Sequence, residues 1–223
     1  LAVLSIGVLI FFVHHAAGSI QSSSIVAAIS VETEAAIDRI YPDPIDAGVA
    51  ATSSELQERN NAIEVQSRIT GYVQMIDSNN LLEIAAAGGW LISIAVTPGV
   101  FVRHGDLLAE MYHGTQPDEG AIHSVRSAFV IGDKRTAAQD IEFLFQQLVE
   151  IAVRALSPGI NDPFTAVECV NHLSSALQRL AGRSLASPVR HDDKGERRVI
   201  SPDQSFTRVA RLALSSIVRY GHS

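Results

Sequence analysis

The residues of this 223-residue chain best suited by type and spacing to do chemistry gather around one turn. The stretch is Arg154-Ala155-Leu156-Ser157-Pro158-Gly159-Ile160-Asn161-Asp162-Pro163-Phe164-Thr165-Ala166, and Asp140 and Glu150 precede it on the same predicted helix. Asn161 and Asp162, with Asp140, Glu168 and His172, converging in one cleft beside the N–H groups of a helix amino end would hold an anion or orient a substrate. With Glu150 and Arg154 on the face before the turn, Asp140, Glu150, Arg154, Asn161 and Asp162 are the candidate functional cluster. The same turn also reads as helix punctuation. Pro158 stops one helix, Gly159 permits a positive φ, and Asn161 or Asp162 can cap the next helix. With Asp162 as cap, Pro163 takes the first helical position, where its missing N–H costs nothing. Glu150 lies four residues before Arg154, the spacing of an ion pair worth ~0.3–0.5 kcal/mol when exposed.

A second pair, Glu168 and His172, is four residues apart on one side of the following helix. Such a pair supplies two metal ligands where a site needs three or four, and no second pair stands out. A histidine hydrogen-bonded to a helical neighbour is the plainer reading, so these are weak candidates and no metal is expected. His14 and His15, being adjacent, point in different directions on a helix and suit interfacial anchoring better than chelation. Cys169 has no nucleophile–base signature around it and reads as a small buried filler. No catalytic residue is assigned and no cofactor is expected.

The elements that position these groups follow from periodicity. Leu1 to Val13 is an uncharged apolar run, shorter than the ~20 residues a spanning helix needs, and it is read as the cut end of a transmembrane helix. Its helical pattern continues to Ile40, before Tyr41-Pro42-Asp43-Pro44. Residues 41–66, with Glu55, Glu58 and Arg59, read as a connector. Residues 67–132 hold short alternating runs broken by Gly71, Pro98-Gly99 and Gly105, with one short helix capped by Asp77-Ser78-Asn79-Asn80 and ended by Gly88-Gly89. They predict a small β-barrel or sandwich. The turn pattern resembles the lipoyl/biotinyl-type barrel, but the chain has no lysine between residues 67 and 113, which excludes a swinging-arm carrier. Residues 133–223 are predicted as a helical unit. A broad apolar face runs from Ala137 to Leu156, with Asp140, Gln147 and Arg154 in one row. A partner helix, Phe164 to about Leu180, turns Ala166, Val167, Val170 and Leu173 inward to complete an αα-hairpin. A β-hairpin follows around His191–Glu196, and a last helix starts near Asp203. The fold class is thus α+β: a truncated transmembrane helix, a barrel-like unit, an αα-hairpin and a C-terminal helix.

Composition narrows the function classes. The chain is 47% hydrophobic and 18% charged, greasier than the ~25% charged of an average soluble domain. Its net charge of -7 argues against nucleic acid as a partner. One cysteine permits no intrachain disulfide.

The motif Arg135-Thr136-Ala137-Ala138-Gln139-Asp140, the central turn, Phe12-Val13-His14-His15 with Ser19-Ile20-Gln21, and Gly71-Tyr72-Val73-Gln74 together resemble the DUF2254 family of predicted bacterial membrane proteins. That resemblance implies an integral protein of the cell (inner) membrane with helices before Leu1 and a soluble domain behind them. It supplies no catalytic residues. The expected partners are the lipid bilayer, a small-molecule or ion ligand, and further copies in a homo-oligomer. The preferred function is non-enzymatic: a soluble domain that assembles, senses a ligand, or gates a membrane portion. The rivals are a membrane-bound enzyme with a polar site at Ser157–Thr165 and an adaptor that binds proteins through the barrel-like unit.

Overall fold

Short β-branched runs between turn residues form strands here, and 3.6-period runs form helices. The structure is a computed structural model that describes residues 2–42, 62–112, 116–184, 187–202 and 206–220, with 2–4, 10–21, 216 and 220 described by backbone alone. In chain order come α1 (Ala2–Ile40), β1 (Ile63–Gln66), β2 (Gly71–Ile76), α2 (Ser78–Gly88), β3 (Leu91–Ile94), β4 (Phe101–Val102) and β5 (Leu107–Tyr112). Then follow α3 (Glu119–Ser127), β6 (Phe129–Gly132), α4 (Ile141–Leu156), α5 (Pro163–Ala181), β7 (Val189–His191), β8 (Arg197–Ile200) and α6 (Phe206–Tyr220). Two compact units result: Leu1–Pro42, Leu144–Arg183 and Phe206–Ser223 form the first, and Asp43–Phe143 with Ser184–Ser205 form the second.

The second unit is built on two sheets. One has the order β1-β5-β3-β8-β7, and the other has the order β4-β2-β6. All pairings are antiparallel except β3 with β8, where Ile92 lies opposite Val199. Val65, Ile92, Leu108, Met111 and Val199 from the larger sheet pack with Val73, Leu81, Val125 and Trp90 in one core. α2 is capped as its sequence predicts: Asp77 accepts the N–H of Asn80 at 3.0 Å, and Gly89 ends the helix in the left-handed region at φ 68°.

In the first unit, α1 buries Val26, Ser30, Thr33 and Ile37, a seam recurring every three or four residues. α4 contributes Leu144, Phe145, Leu148, Ala152 and Ala155 to the buried set, and α5 contributes Ala166, Cys169, Leu173, Ala176 and Leu180. α1 packs on α5, and α5 on α6.

Two parts of the expected fold class are corrected. The residues 67–132 do not close into a barrel: the strands lie in two open sheets, whose outer strands are β1 and β7 in one and β4 and β6 in the other. The physical reason is the far hairpin. β8 pairs in parallel with β3, taking the edge that closure would have needed. The transmembrane helix is also overturned, since among the described residues no helix is long and apolar enough to cross a membrane. α1 is one continuous 39-residue helix. Its uncharged apolar run gives way after Val13 to histidine, serine and glutamine, and its later turns are spent on α5.

Smaller departures have local causes. α4 starts at Ile141, so Ala137, Ala138 and Asp140 belong to the loop before it. Val167 and Val170 on α5 face outward, because the buried stripe runs through Ala166, Cys169 and Leu173. The last strand-like part of the expected connector, Ile63–Gln66, is β1. Glu55, Glu58, Arg59, the side chains of His14 and His15, and the start of the last helix near Asp203 lie outside the described residues.

Candidate functional site

Polar residues of the first unit meet between α1 and α5. Ser23 Oγ donates to Glu168 Oε2 at 2.9 Å. Ser30 Oγ and His172 Nδ1 are 2.7 Å apart, the imidazole tautomer deciding which donates. Arg179 Nε donates to Asp38 Oδ1 at 3.0 Å while Nη1 reaches Glu34 at 3.5 Å. Arg183 pairs with Asp38 as well, and its Nη1 donates to the Pro42 carbonyl at 2.8 Å. Partners rise together along both helices, from 23 with 168 to 38 with 179, so α1 and α5 run parallel. The α1 members are about two turns apart and the α5 members share one face, which puts every rung on a single seam.

The electrostatics of the seam are set at its acidic–basic end. The hydrogen bond from Arg179 holds the Asp38 carboxyl below its ordinary range, helped by the charges of Arg179 and Arg183 and opposed by partial desolvation. The same hydrogen bond raises Arg179. Beside the seam, burial pushes the Cys169 thiol up to about 11, with the Glu168 charge adding to the effect. A thiol held so far above neutrality is a poor nucleophile.

The central turn is built by caps. Asp162 Oδ1 accepts the N–H of Thr165 at 3.2 Å, and its Oδ2 accepts the Thr165 hydroxyl at 2.7 Å. Pro163 is the first residue of α5. The positive φ falls on Asn161 (48°) rather than on Gly159. Asparagine tolerates that region better than most residues, and here its N–H donates to the Ser157 carbonyl at 2.8 Å. Ile160 in the turn is exposed, and beyond it α5 leaves Phe164 85% exposed, with Val167 and Val170 also open to solvent.

Asp140 works elsewhere. Its side chain is 3% exposed and receives Arg135 Nη2 at 2.7 Å and Nε at 2.8 Å, while Oδ1 accepts the N–H of Phe143. Arg135 in turn lies over the Phe143 ring, 5.1 Å from its centroid. Gln139 reads both backbone groups of Ile76, and Gln74 donates to the Lys134 carbonyl, fastening this loop onto β2. The Arg135–Asp140 motif is thus a loop clasp that starts α4.

Of the five cluster candidates, Asp140 belongs to the second unit and Glu150, Arg154, Asn161 and Asp162 to the first. Glu150 is bonded to Gln146 at 3.1 Å. Glu168 and His172 each meet a serine of α1 instead of each other, and among the described residues no group of three or more His, Cys, Asp or Glu is placed to hold a metal. Sequence reasoning missed Ser23, Ser30, Asp38 and Arg179. The available signal was the repeat of Ser23 and Ser30 one heptad apart, with Asp38 eight residues further on.

The comparisons with known proteins fit this description. The family described as Predicted membrane protein (DUF2254) matches residues 1–223. The chain belongs to the DUF2254 family. Uncharacterized proteins of Mycobacterium bovis and Mycobacterium tuberculosis are 34% identical to it over 225 residues, covering 99% of this chain and 43% of their own length. The chain therefore spans less than half of the curated relatives it matches. No solved structure matches it. DUF2254 is a family of predicted membrane proteins of unknown function.

Proposed function

We propose that this chain serves a membrane protein as a non-enzymatic coupling portion, in which α1 links the first unit to a membrane portion that it helps assemble or gate. The carrying observation is the opposite character of the two halves of α1. The carboxyl half is tied to α5 through Ser23, Ser30 and Asp38. The amino half has no Asp, Glu, Lys or Arg before Glu32 and exposes Ile6, Val8 and Leu9. Between residues 5 and 9 the three large apolar side chains are 57–60% exposed, the kind of surface a partner covers. The curated relatives are more than twice as long as this chain, which leaves length for a portion that covers it. A helix fixed in register at one end and docked at the other moves as a rigid element, the ordinary device for passing a change between sites.

The test is a photo-crosslinker in place of Leu9 in the full-length protein in membranes. The expected product is a crosslink to a segment of the same polypeptide outside these residues, and the pair of changes Asp38→Ala and Arg179→Ala should scatter that product over several segments. Adducts with lipid or solvent alone would overturn the reading.

A further inference from the structure

α6 has a chemistry of its own. Its 15 residues, Phe206-Thr207-Arg208-Val209-Ala210-Arg211-Leu212-Ala213-Leu214-Ser215-Ser216-Ile217-Val218-Arg219-Tyr220, include three arginines and no acidic residue, in a chain whose net charge is -7. Val209 and Ala213 are buried, so the opposite side faces outward. On that side Leu214 and Val218 are 53% and 58% exposed. Arg211 is three residues before Leu214, and Arg219 adjoins Val218, both of them exposed. Residues 211, 214 and 218 share one helical face, and 215 and 219 lie on the strip beside it.

Cations flanking an apolar strip, with no carboxylate on the helix to neutralise them, are what an interfacial helix presents to a membrane surface. The other arginine-rich segment, the β7–β8 hairpin, is different. There Arg198 is committed to Asp192 at 2.7 Å and Arg190 to Asn79 at 2.8 Å. We infer that the outward face of α6 docks on an anionic bilayer surface, with Arg211 and Arg219 at the headgroups and Leu214 and Val218 entering the acyl boundary. The arginines complement anionic headgroups, Leu214 and Val218 between them suit an acyl boundary better than an acidic protein surface, and the family description sets a membrane beside the chain. This docking needs a membrane beside the chain but no coupling through α1, so it and the Leu9 crosslink fail independently.

The experiment places a polarity-sensitive fluorophore at position 218 (Val218→Cys) of the full-length protein, freed of its other accessible cysteines, in nanodiscs. Cys169 is buried and stays in place. In discs of phosphatidylcholine mixed with phosphatidylglycerol the probe should report an apolar setting that added salt reverses. Discs of phosphatidylcholine alone should leave it in water. Arg211→Gln with Arg219→Gln should lower the docked-to-undocked ratio about thirtyfold, on the scale of two basic residues leaving an anionic surface. A water-like probe in both lipids would overturn the inference. So would equal shielding in both, and so would shielding in detergent that disappears on dilution, the mark of self-association.

Discussion

Replacing Gly99 by alanine should be among the most damaging single-methyl changes in the second unit. Gly99 follows Pro98 in a turn at φ +88°, where a Cβ is strained whatever the space, at about 1–2 kcal/mol. The space is also taken. A Cβ would stand 2.6 Å from Asp140 Cγ, closer still to Oδ2, and 3.0 Å from Arg135 Nη2. The carboxylate cannot hold its place, so its bonds to Arg135 and to the Phe143 N–H loosen together. Loss of the cap costs about 1 kcal/mol, and a buried group left short of partners about 1–3 kcal/mol more. The expected total is about 3–6 kcal/mol, or roughly 10–20 °C in Tm at this chain length. Trp90, the single tryptophan, lies in the core of this unit, so its fluorescence during urea unfolding reads the right transition. Gly105→Ala is the control: its φ of +92° carries the same backbone strain, but nothing lies within 4 Å of the new Cβ. If Gly99→Ala costs no more than Gly105→Ala, the clasp contributes nothing and the reasoning fails.

Three further outcomes follow from the first unit. Because the folded Asp38 carboxyl is held below its ordinary value of 3.8, its contribution is complete above that pH and is lost as the pH falls through the lowered value; amide exchange in the last turns of α1 should rise over that acid range, and exchange unchanged there would refute a stabilising role for the Asp38–Arg179 pairing. Cys169, buried and pushed up to about 11, should resist alkylation at neutral pH in the native protein and react promptly in urea, and rapid native labelling would show that α5 is not packed as described. Asn161→Gly should be close to neutral and Asn161→Ala should cost about 1–2 kcal/mol in unfolding measurements, because only the second forces a Cβ-bearing residue without a local hydrogen-bonding side chain to hold φ 48°; the reverse order would remove the left-handed turn.

Local physics made much of this protein readable from sequence. Asp77 before α2, Gly89 after it, and Asp162-Pro163 before α5 each act on N–H or C=O groups within a few residues, so a short window of sequence contains the whole cause. The same is true of the β7–β8 hairpin, whose tip residue Asp192 accepts the N–H groups of Lys194 and Glu196 and pairs with Arg198. What the sequence could not supply was the company each element keeps. Asp140 carries the spacing of a helix-face residue, yet it caps α4, because Arg135 lies within its reach and Gly99, brought in from another turn, leaves room for both. Glu168 and His172 look like a pair, yet each is drawn to a serine more than 140 positions away. The strands between Gly71 and Tyr112 alternate as a barrel's would, yet β8 arrives from far along the chain to pair with β3 and leave two open sheets. The common reason is range. Capping and periodicity are contacts within a few residues, whereas pairing across the fold depends on which surfaces the packed chain brings together.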